Sequence, residues 1–183
     1  APVVTTAPVV VAAPVVVAAA SGPAPVKPVG VLDGLKALLA VQGRVRVEQI
    51  RDAETIDELF EGVSSRRNQA LLDLGAEFAA GGMDGAHEKP ISALAAQLGA
   101  KAYHHPGKYL RAVVDEAVNK LLGRAGMNRK DAVAYLSGAF GLEEPTADHV
   151  LLHLALEVRP GESARSGKLG KMADANPANK AQA

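Results

Sequence analysis

Two adjacent serines, Ser64 and Ser65, carry the most chemical promise in this chain. They follow a short acidic turn from Thr55 to Gly62 and open an amphipathic run that ends near Phe78. A hydroxyl at the mouth of a helix meets unpaired backbone N–H groups and a partial positive charge, which favours an attached phosphate. Arg66 and Arg67 add positive charge beside it. A phosphodiester on one of these serines would therefore be electrostatically comfortable, and the stretch reads as a covalent attachment point. The same position is also where a serine commonly just caps a helix, accepting a backbone hydrogen bond. Local sequence leaves both readings open.

Other chemistry has less support. Nucleophilic catalysis needs a base within reach and an oxyanion stabiliser. The five histidines, His87, His104, His105, His149 and His153, are the candidate bases. His149 and His153 stand four apart on a helix, a spacing that can bind metal, but no third ligand falls at a matching spacing and HExxH is absent. They read as two histidines on the polar edge of a buried helix. His104 and His105 precede Pro106-Gly107, in a solvated turn. No glycine-rich phosphate loop with its lysine is present. The sequence contains no cysteine, which excludes disulfides, thiolate zinc sites and thiol nucleophiles, and fits a reducing, cytoplasmic compartment.

The surroundings of the serines are acidic. Glu48, Asp52, Glu54, Asp57, Glu58 and Glu61 face only Arg51 as a base in that stretch. Such a collar would steer the segment onto basic rims of partner proteins, or is simply a solvated face. Glu54, Asp57, Glu58, Glu61, Arg66 and Arg67 are the candidate recognition residues. Across the whole chain Lys plus Arg and Asp plus Glu are 20 each, so no global charge draws it to nucleic acid.

The 183 residues, 48% apolar, can build a real core, and with aromatics at 3% that core is Leu, Val and Ala. Such a composition suits closely packed helices. The chain has no initiator Met and is of low complexity at both ends, as expected of a piece of something longer. Residues 1–28 repeat an Ala-Pro-Val-Val unit, and each proline fixes φ and removes a donor. This predicts a semi-stiff tether of ~3 Å per residue, either a spacer or a swinging arm. With no basic leader and a proline every few residues, it is neither a signal peptide nor a membrane span.

Periodicity predicts helices over about 29–41, 64–78, 90–98, 108–122 and 128–140, and one capped by Thr146 through about Val158. Thr55 with Glu58 has the spacing of a capping box on a short turn. Val45, Val47 and Ile50 plug the core from a structured connector, and 79–89 is a flexible turn. Helix 108–122 presents Leu110, Val113, Ala117 and Leu121 inward. The last helix is apolar nearly all round and belongs at the centre of the bundle. From Pro160 on, Gly, Ser, Lys, Ala and Asn predict a second linker. The fold class is all-α, with no strand required.

The stretch Thr55-Ile-Asp-Glu-Leu-Phe-Glu-Gly-Val-Ser-Ser-Arg-Arg-Asn-Gln-Ala-Leu-Leu-Asp-Leu-Gly-Ala-Glu-Phe78 resembles the attachment segment of acyl carrier domains in type I fatty acid synthases of the fungal and actinobacterial kind. Lys108-Tyr-Leu-Arg-Ala-Val-Val, Asp131-Ala-Val-Ala-Tyr-Leu and Asp148-His-Val-Leu-Leu-His-Leu-Ala-Leu-Glu157 resemble the extra helices of these large-synthase carriers. The Ala/Pro-rich leader is similar to their linker. Glu61 and Val63 stand where the fungal pattern has a glycine and a lysine.

The resemblance implies an acyl-carrier helical bundle: residues 29–105 bear the prosthetic group, 106–160 form a structural extension, and 1–28 and 161–183 are linkers. It puts the modified serine on Ser64, with Ser65 as fallback, because the spacing to Asp73-Leu74-Gly75 and Glu77-Phe78 is then the family's. It implies 4′-phosphopantetheine, attached from coenzyme A by a phosphopantetheinyl transferase that uses Mg²⁺, and no catalysis by the chain itself. Acyl and malonyl thioesters would be presented to ketosynthase, ketoreductase, dehydratase, enoyl reductase and acyl/malonyl transferase domains. Val63, Ile56, Leu59 and Phe60 would line a resting place for a short acyl chain, or are plain core. A helical adaptor with Ser64 as a cap, or a carrier of polyketide intermediates, are the alternatives.

Overall fold

The computed structural model describes residues 29–81, 83–99 and 103–175. The leader 1–28 and the tail 176–183 lie outside the described residues. Among those described there are seven α-helices, short 3₁₀ turns and no strand, only two isolated bridges, Thr55 to Pro90 and Glu162 to Lys168.

The helix at the centre is the first, α1 (Val31–Gly43). Gly34, Leu35, Ala37, Leu38, Leu39 and Ala40 are all buried, so nearly its whole circumference is covered. Its small residues let neighbours approach closely, and the helices that begin at Ser64, Ile91, Lys108 and Glu144 pack on it. A connector follows, with Val45 and Ile50 buried and Val47 half-buried on a 3₁₀ turn. Helix α2 (Ile56–Leu59) is one turn long, capped by Thr55 and Glu58 in the reciprocal pairing their spacing predicts. Helix α3 (Ser64–Glu77) buries Ala70 and Leu74, and Phe78 just beyond it, with Leu71 half-buried. The segment expected to be a flexible turn contains a 3₁₀ turn, Ala86–Glu88, whose Ala86 enters the core. Helix α4 (Ile91–Leu98) follows Pro90.

Helices α5 (Lys108–Leu122), α6 (Arg129–Phe140) and α7 (Glu144–Glu157) complete the body. The inward stripe of α5 is Leu110, Val114, Val118, Leu121 and Leu122, with Val113 and Ala117 half-buried. Consecutive apolar residues at 113–114 and 117–118 allow two stripes, and packing selects the one rotated by a residue. Helix α7 begins at Glu144 with Glu143 as its N-cap, three residues earlier than a cap at Thr146 implies, because Pro145 is pre-set for a first turn. It is also not the central helix. Ala147, Leu151, Leu152, Ala155 and Leu156 are buried, but Val150 and His153 face outward, and Leu154 lines a groove shared with α6.

The largest departure is at the C-terminus. Residues 161–175 are not a linker: they fold back over the connector, with Ser163 and Leu169 buried. Backbone bonds from Ala164 N to Arg44 O (2.9 Å) and from Met172 N to Glu157 O (2.8 Å) fasten this strap. Polar composition signals exposure only where backbone groups lack partners, and here they have them. One contiguous core joins side chains from α1 to α7, so the carrier helices and the extension share an interior.

Candidate attachment site at the start of α3

The corner between α2 and α3 is built by the backbone. Phe60 ends α2, and Glu61 and Gly62 both take left-handed φ, 51° and 71°. This reverses the chain within two residues. Gly62 N donates to Asp57 O (3.0 Å) and Val63 N to Phe60 O (2.9 Å), which closes the turn. Val63, not a serine, is the N-cap of α3, and it offers no side-chain hydrogen bond.

Ser64 is therefore the first residue inside the helix, Ser65 the second, and both are exposed. The capping reading of either serine is overturned. Ser64 Oγ has no hydrogen bond to any described residue, so its hydroxyl is not consumed by structure. The amides of Ser64, Ser65 and Arg66 lack an intrahelical acceptor and point to the same solvent face as the helix dipole. That arrangement fits a phosphodiester on either hydroxyl.

The flanking charges divide into two groups. Arg67 Nη1 donates to Asp57 Oδ1 (3.0 Å), and His87 Nε2 lies 3.8 Å from Asp57 Oδ2. These groups pin the first turn of α3 onto α2. Glu58 is exposed but accepts from Thr55 N (3.0 Å) within the cap. Glu61 and Arg66 are exposed.

Glu54 does not belong to an exposed rim. It is 2% exposed, accepts from Arg51 N (3.2 Å), and is held at both carboxylate oxygens by the Arg165 guanidinium. Burial pushes its carboxyl up, but hydrogen bonds from Arg165 and the Arg51 amide, with both positive charges, hold it below the ordinary carboxylate value. A charge out of water is tolerable only when paired this way.

Ile56, Leu59 and Phe60 are buried core residues, whereas Val63 is 44% exposed. The apolar surface next to Ser64 is instead Val63 and an open cavity of about 450 Å³ along the same face of α3, bordered by Asn68, Leu71, Leu72, Gly75 and Met83.

Two residues that organise this region escape sequence reasoning. Glu77, at the last turn of α3, is buried and accepts from Tyr103 Oη (2.7 Å), Tyr109 N (2.9 Å), Leu110 N (3.0 Å) and Gly107 N. It caps α5 from another helix. Arg165 is the second. Each side chain meets its partners more than 25 positions away; Glu77 stands in the attachment segment as a spacing marker, and nothing local marks the bonding role of either residue. His149 and His153 meet each other, Nε2 to Nε2 at 2.9 Å, and no group of three potential metal ligands exists among the described residues.

Comparison with known proteins agrees with this architecture. Residues 25–176 match the family described as fatty acid synthase subunit alpha acyl carrier domain. The fatty acid synthase subunit alpha of Schizosaccharomyces pombe is 29% identical over 151 residues, 82% of this chain and 8% of that protein. The chain thus spans less than a tenth of the curated relative it matches. With a family match over most of its length, the chain belongs to the acyl carrier domains of the fatty acid synthase alpha subunit, of type I fatty acid synthases.

Proposed function

We propose that Ser64 Oγ is the attachment point of 4′-phosphopantetheine, donated by coenzyme A through a phosphopantetheinyl transferase that uses Mg²⁺. The observation that carries this reading is an exposed, unbonded hydroxyl at the first position of a 14-residue helix. The bound group supplies a terminal thiol, on which acyl and malonyl units are held as thioesters, in a chain that has no cysteine of its own. A reducing cytoplasm keeps such a thiol free.

The chain's own residues position rather than catalyse. The unpaired amides at the start of α3 face the phosphodiester, and Arg66 lies beside it. The Asp57–Arg67 pair holds the corner in one geometry. Glu58 and Glu61 present negative charge to basic rims of ketosynthase, ketoreductase, dehydratase, enoyl reductase and transferase domains. Residues 1–28 and the tail act as tethers, which make each delivery an intramolecular step.

Intact mass after incubation with coenzyme A, Mg²⁺ and a transferase tests the assignment. The wild type gains one phosphopantetheinyl mass, Ser64→Ala gains none, and Ser65→Ala gains it as before. Labelling of Ser64→Ala with loss in Ser65→Ala would move the site by one residue.

A further inference from the structure

The strap and the attachment corner are joined by a continuous chain of bonded groups. On the strap, Arg165 Nη1 donates to Gln49 O (2.6 Å) and to Glu54 Oε2 (3.0 Å), and Nη2 donates to Glu54 Oε1. Its backbone is held too. Gln49 Nε2 donates to Arg165 O (3.0 Å) and Ser166 O (3.1 Å), and Ser163 Oγ donates to Gln49 Oε1 (2.6 Å). Glu54 is the residue before the Thr55 cap of α2, and its carbonyl accepts from Ile91 N (2.8 Å). From α2, Asp57 reaches Arg67 in the first turn of α3, and Asp57 O closes the turn that precedes Ser64.

Helix α2 is one turn long and cannot hold itself in place. Its own capping box fixes its shape and not its position. Ile56, Leu59 and Phe60 seat it in the core, and the bond from Ile91 N to Glu54 O holds its entry. Beside these, its start is tied to the strap by the buried Glu54 carboxylate, to which Arg165 is the cation bonded among the described residues.

We propose that Arg165 is a positioning residue for the modified serine: through Glu54 the strap fixes the α2–α3 corner in the arrangement the transferase recognises. This rests on the reading of Ser64 as the attachment site. When the pair is broken, the corner samples other placements, and only the fraction in the competent arrangement binds the transferase. Apparent affinity falls by that fraction, while complexes that do form react normally. The signature is a change in KM for the carrier without a matching change in kcat.

The test compares the full wild-type chain with Arg165→Met, Arg165→Lys and Glu54→Gln. Loading from coenzyme A by a transferase with Mg²⁺ is followed by intact mass over a range of carrier concentrations. Segment-resolved amide exchange is measured on the same unloaded proteins. In Arg165→Met we expect KM to rise about tenfold with kcat within about twofold, and exchange in 54–63 to accelerate about tenfold while α5 and α7 stay protected. Arg165→Lys keeps the charge and recovers part of the loss in both readouts. Unchanged KM with unchanged exchange at 54–63 overturns the proposal. So does exchange that rises evenly over the whole chain, which marks a merely structural role. If Arg165→Met does not fold, Arg165→Lys and Glu54→Gln carry the same comparison. If the wild type gains no mass, the reading of Ser64 fails instead, and the exchange arm alone then decides whether the strap holds the corner.

Discussion

Removing the Glu77 carboxylate would leave the Tyr103 hydroxyl and the amides of Gly107, Tyr109 and Leu110 without their acceptor. Three of these donors are backbone amides at the start of α5, those of its second and third residues and of its N-cap, Gly107, which provides no side chain. Gly107 cannot be replaced by a capping serine or asparagine, because a Cβ there would sit 2.3 Å from Glu77 O. The carboxylate also complements the positive end of the α5 dipole. Burial first, and then the hydrogen bond and negative charge of Glu77, push the Tyr103 phenol far above its ordinary pKa, so it remains a donor. Glu77→Ala is expected to destabilise the protein by about 3 kcal/mol and Tyr103→Phe by about 1 kcal/mol, from the cost of orphaned buried donors against a lost neutral bond. Urea unfolding of both variants checks the order. An equal loss in the two would mean that Glu77 matters only through Tyr103.

At the scale of elements, α6 shows what a sequence makes legible. Asn128 Oδ1 accepts from Lys130 N (2.8 Å) and Asp131 N (3.2 Å), and Asp131 Oδ2 accepts in return from Asn128 N (2.9 Å). These contacts are local, exposed and independent of the rest of the fold. Asn128→Ala should therefore cost about 1 kcal/mol and Asn128→Asp only a few tenths, measured by thermal or denaturant unfolding. The same locality explains why Thr55 with Glu58 and the end of α6 at the left-handed Gly141 can be read from residue types alone, whereas α3 starts after Val63, which has no capping side chain. Choices made by tertiary packing cannot. The apolar residues of α5 fit two stripes, and the body selects Val114 and Val118. Around α7, Val150 is as apolar as Leu151, yet only the second is buried. The strap is the extreme case, since its Gly, Ser and Lys residues are those of any linker and its order comes from Arg44, Gln49 and Glu54 far upstream. The attachment corner lies between these limits. Its serines and acids are visible in sequence, while the burial of Glu54 and the freedom of the Ser64 hydroxyl depend on the fold.

For the molecule as a whole, the Glu54–Arg165 pair ties the C-terminal strap to the carrier helices, so global stability should report its ionisation. The Glu54 carboxyl is held below its ordinary value of 4.5 in the folded chain. A depressed folded pKa means that the unfolded chain takes up the proton first. The contribution of the pair is complete above about pH 4.5 and is lost as pH falls through the lower, folded value. Arg165 is partly solvated, its side chain 30% exposed, which lowers the worth of the pair below that of a fully buried one. Glu54→Gln should then cost about 2 kcal/mol at neutral pH, somewhat less than breaking a fully buried ion pair. The difference in urea-unfolding free energy between wild type and Glu54→Gln, followed from neutral pH into acid, separates this pair from every other carboxylate. It should stay level down to about pH 4.5 and shrink below it. A difference that holds constant through that range would show that Glu54 contributes through packing and neutral hydrogen bonds and not through its charge.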